Sequence, residues 1–287
     1  MPRENESSRI GKVVWWLLAC ALLLPAPVKA ADIDTWKEPV TGMVFIQIPA
    51  GCYEMGSAAG DPDEKPVHRV CLDGFWIGKY EVANRQYRKF DPTHAPEKYK
   101  GRGLNGNRQP AVYVQWPQAR DFTLWLTKQN GKPYRFSLPT EAQWEYACRA
   151  GRPVSEFTDD DPARICRYGN VYDRTGHKAF KFDWPHFSCN DGRAVTTAVG
   201  RFKPNPWGLH DMIGNVWEWC ADTYTPDAYK HHRPRNPLIG GTTGMSRVVR
   251  GGGWSDEPKN VSATHRDGYW IGHQWPWVGF RVVMTTR

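Results

Sequence analysis

Apolar and polar positions first alternate in Met43-Val44-Phe45-Ile46-Gln47-Ile48-Pro49, which runs into Pro49-Ala50-Gly51; the pattern predicts a half-buried strand closed by a turn. Cys71 to Tyr80 (CLDGFWIGKY) predicts a hairpin with Asp73-Gly74 as its turn. From Val82 to Phe90, and again from Trp116 to Lys128, apolar residues recur at three- and four-residue spacing. Phe122 and Leu124 to Leu126 carry the second stretch, and both predict amphipathic helices that serve packing. The clearest helix begins at Thr140. Its hydroxyl can cap the first amides, Gln143 three residues on can reach back to close a capping box, and Gly151 stops the helix. Short strands are predicted at 215–219, 246–250 and 279–283. Residues 151–206 and 223–247 show no sustained periodicity, and coil of that length needs something inside it to supply order. With no internal repeat, low-complexity tract or linker, the pattern predicts one α+β domain with few regular elements and much ordered coil.

The amino end reads differently. Arg9 and Lys12 precede the apolar run Val13 to Pro25 (VVWWLLACALLLP) and a small-residue exit at Val28-Lys29-Ala30, the layout of a secretory signal peptide. Residues 1–30 are therefore expected to be removed, with cleavage after Ala30; 31–42 form a polar lead-in and 43–287 the domain. The apolar run falls short of the roughly 20 residues that a membrane-spanning helix needs, and nothing later is longer, so no membrane span is expected. Leu17-Leu18-Ala19-Cys20 resembles a lipoprotein cleavage box, but the apolar stretch before Cys20 is short for one, and a periplasmic or secreted protein is preferred. Fifteen tryptophans, 27 glycines and 23 prolines point to a loop-rich fold whose core is filled by large rings. A formal net charge of +8, scattered and not aligned on a helical face, gives no footprint for nucleic acid.

Without Cys20, six cysteines remain: Cys52, Cys71, Cys148, Cys166, Cys189 and Cys220. An even count in an exported chain predicts disulfides. Cys52–Cys71 and Cys166–Cys189 are preferred because each closes a short local loop, which leaves Cys148–Cys220. No CxxC or closely spaced Cys/His cluster points to a metal or redox site instead.

Two segments offer oxygen ligands. Asp211-Met212-Ile213-Gly214-Asn215-Val216-Trp217-Glu218 places two carboxylates around a glycine-centred turn, and hard cations such as calcium take carboxylates together with carbonyls freed by irregular loops. The same residues read equally well as a turn cap at Asp211 and a pairing of Glu218 with a surface arginine. Bonding Cys166 to Cys189 would bring Asn170 and Asp191 together, with the carbonyls of Val171 and Arg193 beside them; a pair of Asx-turns is the plainer reading.

These blocks, taken in order, resemble the formylglycine-generating enzyme, or sulfatase-modifying factor, family. The resemblance runs from MVFIQIPAGCYEMGS (Met43 to Ser57) through KYEVANRQYRKF, LPTEAQWEYACRAG, PNPWGLHDMIGNVWEW and RVVRGGGWSD to GFRVV (Gly279 to Val283). It implies a single domain related to C-type lectins, with little regular secondary structure and bound calcium. By motif, one calcium site would fall on Asn170, Val171, Asp191 and Arg193, and a second on Asp211, Gly214, Val216 and Glu218. The family's oxidase members use two cysteines, five residues apart after the glycine run, to bind copper(I), a soft ion that suits thiolates. Here those positions are Asp256 and Val261. The chain therefore resembles a cysteine-less branch, in which copper and formylglycine formation on sulfatases are not expected.

The resemblance also makes Gly251-Gly252-Gly253 the floor of a groove, where an extended ligand would approach the main chain because glycine permits it. Its expected rim is Trp254, Ser255, Asp256, Glu257, His265, Arg266, Tyr269 and Trp270. Asp256 and Glu257 are candidates for general acid or base or for holding a cationic ligand, and His265 for carrying a proton. Two functions are expected. One is an oxidoreductase or maturation factor acting on a small aromatic or peptidic substrate, as implied by relatives in pyoverdine maturation. The other is a non-catalytic accessory protein for a periplasmic partner, as beside copper nitrite reductases.

Overall fold

The first and last strands of the described residues belong to one sheet. In a computed structural model that describes residues 34–152, 162–240 and 244–286, β1 (Thr35–Lys37), β2 (Val44–Ile48), β5 (Phe75–Gly78), β11 (Val283–Thr286) and β6 (Tyr134–Ser137) form an antiparallel sheet in that order. The polar lead-in thus supplies an edge strand: Trp36 stands opposite Phe45 and stacks on Tyr134 at 4.9 Å. A second sheet runs β10 (Val278–Gly279), β7 (Trp217–Thr223), β8 (Ser246–Arg250), β9 (Arg266–Trp270), with only the short β10–β7 pairing parallel. A separate ribbon pairs β3 (Gly51–Met55) with β4 (His68–Leu72) and is fastened by the Cys52–Cys71 disulfide. Cys166–Cys189 is also formed.

The expected hairpin at Asp73-Gly74 is not one. Its two arms belong to different sheets, β4 to the ribbon and β5 to the five-stranded sheet. What the dipeptide provides is a crossing point, where Asp73 accepts from Arg235 and Asn236 and a Cβ on Gly74 would press on the Ile48 carbonyl at 3.3 Å. The stretch 82–90 yields only one helical turn, α1 (Asn84–Tyr87), while α2 (Trp116–Asn130) is a full helix with Phe122 and Leu126 buried and Leu124 57% exposed. α3 (Glu141–Arg149) has the capping box at Thr140 and Gln143, but the left-handed residue that ends it is Ala150, one position earlier than expected. The coil after it holds a 3-10 turn at Pro162–Arg167 and α4 (Arg174–Phe180), whose first amides are capped by Asp173.

Trp144, Trp217, Trp219 and Trp254 are fully buried, as the composition predicts, but so are Arg250 and Arg281. α3 is buried on nearly every side, and its acids point inward. Glu141 takes Arg266 in a two-pronged pair at 2.7 and 2.8 Å, Glu145 takes Arg250 at 2.6 Å, and Glu218 on β7 takes Arg281 through two bonds of 2.6 Å. Charges can occupy this interior only because each carboxylate meets a fork of donors.

The expected third disulfide is absent. Cys148 and Cys220 are free and fully buried; the first thiol lies 3.8 Å from the Met212 carbonyl, the second 3.9 Å from that of Glu218. Both act as small core side chains, and an apolar setting accommodates two thiols without an S–S bond. The predicted signal peptide, residues 1–30, lies outside the described residues. Among the described residues no helix is long and apolar enough to cross a membrane.

Candidate functional site

The β8–β9 connection, 251–265, builds one wall of a cavity of about 310 Å³. Ser255, Asp256, Glu257 and Asn260 contribute its polar side. Tyr99, Phe182, Trp184, Tyr269 and Trp277 contribute the aromatic side. Phe182 and Trp184 stack at 4.4 Å and 17°, and the Trp184 indole donates to the Ser255 carbonyl at 3.0 Å, which ties the segment after α4 to the glycine loop. Lys100 lies 5.1 Å above Phe182, so a cation already shares this aromatic face.

Asp256 is the acid at the centre. Its Oδ2 accepts from the Trp217 indole at 2.8 Å and from the Gly253 amide at 2.9 Å. Burial pushes its carboxyl up from an ordinary 3.8 to about 7; the Gly253 and Trp217 bonds pull the other way and Asp267 adds to the rise. A carboxyl poised there exchanges protons at neutral pH, which suits a general base. Glu257 is paired with Lys259 at 3.0 Å and remains partly open to solvent. Burial also pushes the Tyr269 phenol up, so it stays protonated.

The rest of the expected rim lies elsewhere. Trp254 is buried beneath the loop, donating to the Pro276 carbonyl. Arg266 is locked on Glu141 inside the core, because that acid has no other equal partner there. His265 turns away toward Asp61 and Glu64 and lies against the far side of Trp217. Trp270, at the end of β9, is 46% exposed and does not line the cavity. Tyr99, Phe182, Trp184, Asn260 and Trp277 were missed; the alternation in Phe180-Lys181-Phe182-Asp183-Trp184 and the Trp275-Pro276-Trp277 step are the only local signals for them.

The glycine run serves the protein's own packing. A Cβ on Gly251, at φ +98°, would meet Trp144 at 3.0 Å, and one on Gly252, at φ +72°, would meet Val261 at 2.9 Å. Gly253 is approached by the Asp256 carboxylate itself at 3.2 Å. What a Cβ at the glycines would meet is therefore a tryptophan, a valine and the candidate base. Val261, at the position of the family's second copper thiolate, is buried and fills the space beside Gly252. With a carboxylate and an alkyl group at these two positions, the donor set does not fit copper(I).

The expected calcium ligands are brought together in part. Asn170 is fully buried with its Oδ1 unpartnered. The oxygens of Asp191 accept from the amides of Val171, the residue after Asn170, and Arg193 at 2.9 and 2.6 Å, and burial pushes its carboxyl up to about 7. An orphan amide oxygen and a desolvated carboxylate are ligands of the type that a hard cation takes. In the second set, Asp211 has φ +54° and a buried, unpartnered Oδ1, and burial pushes it up to about 6. Gly214 and Val216 are buried in the same turn, and a Cβ on Gly214 would strike the Asn170 carbonyl. Glu218, however, is already held by Arg281 and by the Trp144 indole at 2.7 Å. That is the ion-pair reading of Glu218, with a buried arginine in place of a surface one.

Residues 29–286 match the sulfatase-modifying factor enzyme 1-like domain family. The chain is 30% identical over 292 residues to the serine/threonine-protein kinase pkn1 of Chlamydia pneumoniae, covering 92% of this chain but 42% of that protein, so it spans about two fifths of that relative's length. It is 28% identical over 284 residues to the formylglycine-generating enzyme of Streptomyces coelicolor, covering 82% of this chain and 86% of the other. Among solved structures, PvdO from Pseudomonas aeruginosa superposes with a TM-score of 0.73 at 27% identity, covering 88% of this chain and 97% of that one.

Proposed function

The chain belongs to the sulfatase-modifying factor family, and on that premise we propose that it is an exported maturation factor of oxidoreductase type, acting on a small aromatic or peptidic substrate in the cavity beside the glycine loop. The observation that carries this reading is Asp256: a carboxyl in an aromatic cavity, at the position of a family thiolate, with its proton affinity raised to about 7. Phe182, Trp184 and Trp277 offer flat faces to a ring. Asp256, held as a carboxylate by the Trp217 and Gly253 donors, takes a proton from such a substrate and becomes the carboxylic acid, while the electrons of the oxidation pass to a soluble two-electron acceptor. Calcium is proposed as a structural ion on the Asn170 and Asp191 set, where it would satisfy the orphan oxygen and order the coil between α3 and β7.

The test compares the exported metabolites and peptides of a deletion strain, by mass spectrometry, after complementation with wild type or Asp256→Asn. A compound that accumulates in the deletion strain and in the Asp256→Asn strain, and is consumed by wild type, is the expected result. Full complementation by Asp256→Asn would remove the base and leave the accessory reading, in which the cavity recognises a periplasmic partner without turnover.

A further inference from the structure

Behind the cavity wall, the loop 56–64 and the turn before β9 bring together three groups that the proposed chemistry does not use. His265 Nδ1 lies 3.4 Å from Asp61 Oδ2 and 3.9 Å from Glu64 Oε1, and one ligand atom from each of the three residues falls within 4.8 Å of the others. Glu64 is only 3% exposed, yet its Oε2 has no hydrogen-bond partner, and neither has His265 Nδ1. Buried polar atoms left unpaired in this way are uncommon and ask for an occupant. The chain makes room for this carboxylate, since a Cβ on Gly60 would overlap it. The two Nη groups of Arg250 are given to Glu145, Glu141 and the carbonyls of Ala263 and Thr264, its Nε has no partner, and no hydrogen bond joins it to Glu64.

We propose that Asp61, Glu64 and His265 form a binding site for a divalent first-row metal ion of the zinc class. Two carboxylate oxygens and one imidazole nitrogen are ligands such ions share, whereas calcium prefers oxygen alone. Ligands bound at about 2.0–2.1 Å around a tetrahedral ion stand roughly 3.3 Å apart, close to the 3.4 Å between His265 and Asp61. Glu64 Oε1, at 3.9 Å from His265 Nδ1, stands about half an ångström beyond that spacing. Two carboxylates and a neutral imidazole balance the charge of one divalent ion, and Asp61, with a side chain 59% exposed, opens the site to solvent. The ion would stiffen the wall from behind, because His265 packs on Trp217 at 5.7 Å and Trp217 in turn holds Asp256.

The test uses the mature protein, stripped with EDTA and returned to millimolar calcium, and titrates zinc chloride by calorimetry. Wild type is compared with His265→Ala, Glu64→Gln and Asp61→Asn, the last being exposed enough to leave folding intact. Other histidine pairs, such as His68 with His232 at 3.0 Å, can take zinc adventitiously, so the difference between proteins decides. Wild type is expected to bind one zinc more per chain than His265→Ala, and Asp61→Asn to bind that zinc about ten-fold or more weakly. Identical zinc isotherms for wild type, His265→Ala and Asp61→Asn would overturn the proposal. So would a wild type that binds no zinc while His265 titrates as an imidazolium between the two carboxylates.

Discussion

The indole nitrogen of Trp217 donates to Oδ2 of Asp256 at 2.8 Å, joining the first residue of β7 to the glycine loop after β8. This bond favours the ionised carboxylate, against a burial that favours the protonated one. Trp217→Phe keeps the ring and loses the donor. The pH midpoint of Asp256 is expected to move above its value in wild type, and a midpoint unchanged in the phenylalanine variant would show that the bond does not act on the carboxyl.

Asp256 also links stability to pH. Below its ordinary value of 3.8 both folded and unfolded chains carry the proton; between there and about 7 only the folded chain keeps it; above that both are ionised and the folded state bears the buried charge. Stability from this group therefore falls as pH rises through that window. Asp256→Asn removes the ionisation, so its Tm relative to wild type is expected to rise between about pH 5 and about pH 8 in differential scanning fluorimetry. A constant difference across that range would contradict the raised proton affinity.

Glu218 and Arg281 are 1% and 0% exposed and hold each other through two bonds. Glu218→Ala strands a buried guanidinium, and urea denaturation should show a loss of about 3–5 kcal/mol. A loss under about 1 kcal/mol, the size of a surface pair, would contradict the burial of this pair.

Removal of calcium by EGTA is expected to lower the Tm of the purified protein, and Asn170→Ala to abolish that response by deleting the orphan oxygen. An EGTA-insensitive wild type would show that Asn170 Oδ1 holds no ion.

Cys148 and Cys220 give a count. Burial pushes both thiols well above their ordinary range, so neither should react with a thiol reagent in the native protein, and in a chain without residues 1–30 two should react once it is unfolded without reductant. None in the unfolded protein would restore the Cys148–Cys220 bond.

The failed pairing shows where the sequence stopped being informative. Cys52–Cys71 and Cys166–Cys189 close loops of 19 and 23 residues, and local closure is legible in spacing. Cys148 and Cys220 were joined only as the remainder, and whether two core thiols bond depends on packing that spacing does not encode. The capping box of α3 was legible for the same local reason, whereas the Asp73-Gly74 hairpin failed because strand partners are chosen by distant segments. At the site, Ser255, Asp256, Glu257 and Tyr269 were found because they follow the glycine run or lie on the strand beyond it. Tyr99 and Trp184 come from segments more than sixty residues before that loop and only folding brings them there. Arg266 was misplaced because a lone arginine near a site motif reads as a binding group until its buried partner, Glu141, is seen.

The measurement that bears most directly on the proposed role of Asp256 is its carboxyl titration, followed by carbon-13 NMR of protein labelled in aspartate, with Asp256→Asn supplying the assignment. A midpoint near 7 is predicted, leaving the group able to take and return a proton at neutral pH. A midpoint at the ordinary 3.8 would make it a permanently charged, solvated acid and would contradict the proton-accepting site.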